Sequence, residues 1–151
     1  MEYILITNNK TTQRIFPYTK WAAYIYPQGT PGIKERPLYY VGIAINCTRS
    51  SKSDLRDLGA AAENIMLSAL GFKIASCWLG AINKKEISKI LSLPKHVKLD
   101  SLIALGYPKE TPKTIETDKK TKYYQDKKGI HYVPKRPLEK ILYFNKYGKK
   151  D

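Results

Sequence analysis

The chain's 151 residues, 42% hydrophobic and 26% charged, suffice for one domain with a sizeable core. No apolar run reaches the roughly 18 residues of a membrane span, and "MEYILITNNK" lacks the basic start and long apolar run of a secretory leader, so a cytoplasmic protein with no membrane partner is expected. The net charge of +14 invites a nucleic-acid reading, but the lysines are spread along the chain and only Arg14, Arg36, Arg49, Arg56 and Arg136 offer the planar fork that phosphate and base recognition favour; nucleic acid is not the expected partner.

Tyr3 to Thr7, "YILIT", is β-branched and apolar and predicts a first strand. "NNKTTQRIF" reads as a turn into a short helical segment. Residues 24–37, with three prolines and two glycines, predict an irregular loop. Leu38 to Cys47, "LYYVGIAINC", is nearly all apolar, as in a strand buried on both faces. Ser53 is a good N-cap, with Asp54 and Asp57 in the first turn of a helix running to Leu70, where Gly71 stops it. Leu55, Leu58, Ala62, Ile65, Met66 and Ala69 recur at helical spacing, and Ala60 and Ala61 widen the apolar surface, so this helix is expected to pack on more than one side. Ile74 to Leu79 reads as a buried strand stopping at Trp-Leu-Gly-Ala. Asn83 and Glu86 then have the spacing of a capping box for a helix that ends before Pro94. "VKLDSLIALGYP" is a further strand. From Lys109 to Lys128 the polar composition predicts a mobile arm or extended connection, with order returning at "GIHYVPKRPLEKIL". The expected organisation is a core over residues 1–108 and a lysine-rich connection with a C-terminal arm over 109–151.

Cys47 and Cys77 stand in apolar runs and read as buried, inert thiols. His96 and His131 stand in loop or tail surroundings with no second ligand at metal spacing, so no metal site is expected.

The order strand, small-residue helix, strand ending in Trp-Leu-Gly-Ala, capped short helix and strand ending in Ala-Leu-Gly-Tyr-Pro resembles the FMN-dependent nitroreductase family. The resemblance is carried by "DLGAAAENIMLSALGFKIASCWLGAI", "LSLP" and "LIALGYPKE", about residues 54 to 110, and by the tail "HYVPKRPLEKIL". It implies an α+β fold, a mostly antiparallel central sheet flanked by helices, and a homodimer that exchanges a C-terminal arm. It further implies FMN as cofactor, NADH or NADPH as hydride source and a small-molecule electron acceptor.

Residue by residue, the resemblance lays Trp78, Leu79, Gly80 and Ala81 against the isoalloxazine edge, with a backbone N–H reaching N5. Arg136, helped by Lys135, falls at the basic position that contacts the FMN phosphate. A glycine lets backbone approach a flat ring, and an arginine suits a phosphate; a tight turn and a solvated basic pair are the plainer readings of the same residues. The resemblance assigns no catalytic side chain. Family members also carry an Arg-Arg-Ser-x-Arg segment before the first strand and an Asn-x-Gln-Pro-like stretch, neither of which this sequence shows. Losing two or three charge-assisted bonds of roughly 1.5–3 kcal/mol each would weaken the hold on the phosphate. A short chain with weak FMN binding, a non-catalytic dimeric remnant of the family, and a piece of a longer protein all accord with that departure.

Overall fold

A computed structural model describes residues 1–49 and 55–149; the cap expected at Ser53 and the first-turn Asp54 lie outside them. The chain divides into two units, Met1–Trp21 with Gly29–Pro108, and Ala22–Gln28 with Lys109–Asp151.

In the first unit the elements run β1 (Glu2–Ile6), α1 (Asn9–Ile15), β2 (Tyr39–Asn46), α2 (Leu55–Gly71), β3 (Ala75–Leu79), α3 (Lys84–Ile90) and β4 (Val97–Gly106). The four strands form one antiparallel sheet in the order β1–β2–β4–β3. One face packs Ile6, Tyr40, Leu79, Leu99, Leu102 and Ala104 with Ile15 of α1 and Ile87 of α3. The other packs Ile43 and Ile103 under Leu58 and Ala62 of α2. Helices on both faces explain why the central strand β2 lacks polar alternation. The expected α+β architecture, an antiparallel sheet flanked by helices, is the one observed.

Three expectations change. Strand β3 is not buried: it forms a sheet edge, where only Leu79 is fully enclosed and Trp78 stays 44% exposed. Cys47, just beyond β2, and Cys77, on that edge strand, are both exposed; partial desolvation still pushes the Cys77 thiol above its ordinary value, which favours its protonated form. Helix α2 buries a single stripe, Leu58, Ala62 and Ala69, and leaves Leu55, Leu67 and Leu70 facing outward. The loop before β2 is irregular as expected, apart from two single 3₁₀ turns at Ala23–Ile25 and Ile33–Glu35.

The second unit holds β5 (Lys113–Glu116), β6 (Tyr124–Gln125), β7 (His131–Lys135) and α4 (Leu138–Ile141). Its sheet runs β5–β7–β6, with β5 parallel and β6 antiparallel to β7. The stretch read as a mobile arm or extended connection therefore includes two paired strands. Local chemistry accounts for this. Asp126 accepts from the N–H groups of Lys128 and Ile130 at 2.9 Å each, and Gly129 takes the left-handed φ of +80° that completes the turn. Tyr124 and Tyr132 then stack across the hairpin with centroids 5.2 Å apart. His131, read as a loop or tail residue, is in β7, its Nδ1 3.0 Å from a Glu110 carboxylate oxygen.

Candidate functional site

Strand β3 delivers the chain from the core to a turn over residues 80–83. Helix α3 then begins at Lys84, capped by Asn83, whose Oδ1 accepts from the Glu86 N–H at 3.2 Å. The segment that follows α1 runs antiparallel beside this turn. The Lys20 N–H donates to the Ala81 carbonyl at 3.0 Å, and the Asn83 N–H donates to the Tyr18 carbonyl at 2.8 Å. Thr19 and Ile82 form an isolated antiparallel bridge between these two bonds. Residues 17–20 and 80–84 line an open cleft of about 620 Å³, within the roughly 300–1,000 Å³ of small-molecule sites.

Gly80 occupies the decisive place in the turn. Its φ is not left-handed; among the described glycines only Gly129 and Gly148 are. A Cβ built at position 80 would meet nothing within 4 Å. Neither backbone conformation nor packing within the chain therefore requires a glycine there. The Gly80 carbonyl accepts from the Ile82 N–H at 3.0 Å, whereas the N–H groups of Gly80 and Ala81 make no main-chain bond among the described residues. Open backbone with uncommitted donors is the form a flat acceptor ring needs.

The other candidate residues are placed differently. Leu79 turns into the core at 5% exposure, beneath the turn. Trp78, one position earlier, pairs with Ile103 and so shares the α2 side of the sheet. Only Gly80 and Ala81 of the four line the cleft. Lys135 and Arg136 belong to the second unit, at the exit of β7, between buried Pro134 and Pro137. The Thr117 N–H donates to the Lys135 carbonyl at 2.9 Å, so the backbone is fixed while both charged side chains are exposed and make no ion pair among the described residues. Lys84 is tied to Asp100 at 3.3 Å.

The segment Pro17–Lys20 is the part of the cleft that sequence reasoning missed. Its signal is weak, since nothing in "PYTK" marks it as the partner of a turn so distant in the chain. Among the described residues no group of three or more His, Cys, Asp or Glu is placed to hold a metal ion, and no helix is long and apolar enough to cross a membrane.

A four-stranded antiparallel sheet between helices is an α+β fold shared with solved nitroreductase-family structures. A protein of Bacteroides thetaiotaomicron, provisionally named NADH dehydrogenase/NAD(P)H nitroreductase, superposes with a TM-score of 0.63 at 18% identity, over 97% of this chain and 72% of that one. An FMN-dependent nitroreductase of Clostridium difficile R20291 superposes with a TM-score of 0.59 at 18% identity, over 97% and 75%. The Nitroreductase family profile matches residues 32–107, half of the chain; the chain belongs to the nitroreductase family. Two relatives, both provisionally named NADH dehydrogenase/NAD(P)H nitroreductase, are also similar in sequence. The Archaeoglobus fulgidus protein is 35% identical over 68 residues, 42% of this chain and 39% of that protein. The Methanothermobacter thermautotrophicus protein is 28% identical over 120 residues, 74% and 57%. The chain thus spans between two-fifths and three-fifths of the length of these relatives.

Proposed function

We propose that the chain is an FMN-dependent oxidoreductase of the nitroreductase type, acting as a homodimer with an exchanged C-terminal arm. The observation that carries this reading is Gly80: a glycine whose φ is not left-handed, with empty space at its Cβ, on a turn whose Gly80 and Ala81 N–H groups make no main-chain bond among the described residues. Bound there, FMN would supply hydride chemistry between NADH or NADPH and a small-molecule acceptor.

The chain's own residues would bind and orient. The Gly80 or Ala81 N–H would donate to the ring edge, and the absence of a Cβ at 80 would let the backbone approach it. Leu79, buried below, would keep the turn from sagging into the core, and Trp78 would shield the strand end from water. Arg136 and Lys135 would hold the phosphate, their backbone already fixed between two buried prolines. The outward Leu55, Leu67 and Leu70 of α2 support a second copy as the cover of that helix.

The test is titration of free FMN with the purified chain, followed by fluorescence quenching and by sedimentation. Quenching with a saturable endpoint and a dimer mass supports the reading. A dimer that leaves FMN fluorescence untouched overturns the enzymatic part and favours a non-catalytic member of the family.

A further inference from the structure

The turn at 80–83 is held by a segment that is itself held by one main-chain bond, from the Thr19 N–H to the Phe16 carbonyl at 3.1 Å, and by the Thr19 hydroxyl. Thr19 Oγ1 donates to the Phe16 carbonyl at 2.7 Å and accepts from the Trp21 indole N–H at 2.8 Å. Both partners are anchored in the protein. Phe16 is buried and stacks on Trp21 with centroids 6.0 Å apart, and the Arg36 guanidinium covers its ring at 4.3 Å. Trp21 packs against the core cluster that contains Tyr40. The main chain of Thr19 forms the bridge to Ile82, between the Lys20–Ala81 and Asn83–Tyr18 bonds. Thr19 thus has its side chain in the knot and its backbone on the turn, and it lines the cleft.

We propose that Thr19 is a positioning residue for the candidate site: its hydroxyl fixes the segment 17–20, and through that segment sets where the Gly80 and Ala81 N–H groups lie. It touches no reacting atom. A threonine here does what a turn hydroxyl does elsewhere: its side-chain bond to the Phe16 carbonyl adds to the main-chain one that the Thr19 N–H makes to the same oxygen at 3.1 Å. Removing the hydroxyl while keeping the shape, as in Thr19→Val, leaves the Trp21 N–H without its partner and the Phe16 carbonyl with one bond fewer. The segment then keeps its main-chain bonds but loses the side-chain clamp on its register with the turn. The effect on a cofactor rests on the flavin reading above; the effect on the turn does not.

The experiment compares the full chain with T19V and T19S by amide hydrogen exchange and by FMN fluorescence titration. In T19V, exchange of the Lys20 and Asn83 amides should quicken roughly five- to tenfold, and FMN should bind weaker by a similar factor, the worth of about one hydrogen bond. Amides of Leu102 and Ile103 should keep their protection, and T19S, which retains the hydroxyl, should restore both readouts. Unchanged exchange at Lys20 and Asn83 in T19V overturns the proposal, and so does uniform quickening that includes Leu102 and Ile103. Should T19V fail to fold, Trp21→Phe removes the same bond from its other end and is read by the same amides. If the unsubstituted chain binds no FMN, the flavin reading fails and the exchange arm still decides the role of Thr19.

Discussion

The Lys20 main-chain N–H donates to the Ala81 carbonyl at 3.0 Å, which joins the exit of α1 to the exit of β3. The bond takes up the Ala81 acceptor, while the Gly80 and Ala81 N–H groups make no main-chain bond among the described residues. The end of a sheet edge thereby becomes a fixed shelf with donors to spare.

On the proposed reading, stability and FMN binding should separate at Gly80. Gly80→Leu adds a side chain whose Cβ meets nothing within 4 Å. The apo protein should therefore melt within about 0.5 kcal/mol of the original, whereas FMN quenching should weaken at least about tenfold. Paired thermal melts and titrations check this, and a variant that binds FMN normally would refute the shelf's role.

Gly42 should behave in the opposite way. It sits in β2 between Ile4 of β1 and Leu102 of β4, and an added Cβ would lie 3.4 Å from the Ile4 and Leu99 δ-methyl carbons. Gly42→Val overpacks both and should cost about 1–3 kcal/mol. Ile87→Ala, at a fully buried position on α3, should cost about 2–5 kcal/mol by leaving a cavity under the helix. Urea denaturation midpoints measure both.

Arg136→Ala removes a guanidinium that makes no ion pair among the described residues, so the melting temperature should barely move. FMN affinity should fall by about 1.5–3 kcal/mol if that guanidinium holds the phosphate. Riboflavin, which lacks the phosphate, should bind the variant and the original equally. A loss of riboflavin binding of the same size would count against a phosphate contact.

Tyr40 makes alkaline stability informative. Burial pushes its pKa up from 10.0 to about 12, against smaller opposing effects of the Thr19 hydroxyl and the Arg36 guanidinium. With the folded value above the unfolded one, its contribution is intact below pH 10 and is lost as the pH rises through 10 towards 12. Among the described residues its hydroxyl also finds no hydrogen-bond partner of good geometry. Tyr40→Phe should therefore be within about 1 kcal/mol of the original at pH 7 and lose less stability than the original above pH 10. Denaturation at pH 7, 10 and 11 tests the sign.

Much of the fold was legible because each signal is local. The apolar run of β2 and Asn83 at the start of α3 act within one strand or one turn, whereas α2 runs through Gly71 and the left-handed residue beyond it is Lys73. What was not legible depends on partners distant in the sequence. "IASCW" reads as buried by composition, and only the order β1–β2–β4–β3 makes it an edge. "KKTKYYQDKKG" reads as solvated, and only the pairing of Tyr124 with Tyr132 turns it into a sheet. At the candidate site, the motif pointed to residues 78–81 but could not show that Leu79 and Trp78 turn away from the cleft. Thr19 was invisible because a single threonine within "PYTK" carries no pattern.

The bare side of α2 has a consequence for handling the protein. Leucines 55, 67 and 70 favour contact between copies, while a charge of +14 on each drives copies apart. The reach of that repulsion shrinks from about 30 Å in 0.01 M electrolyte to about 8 Å in 0.15 M. Added salt should accordingly promote self-association, the reverse of its effect on complexes held by opposite charges.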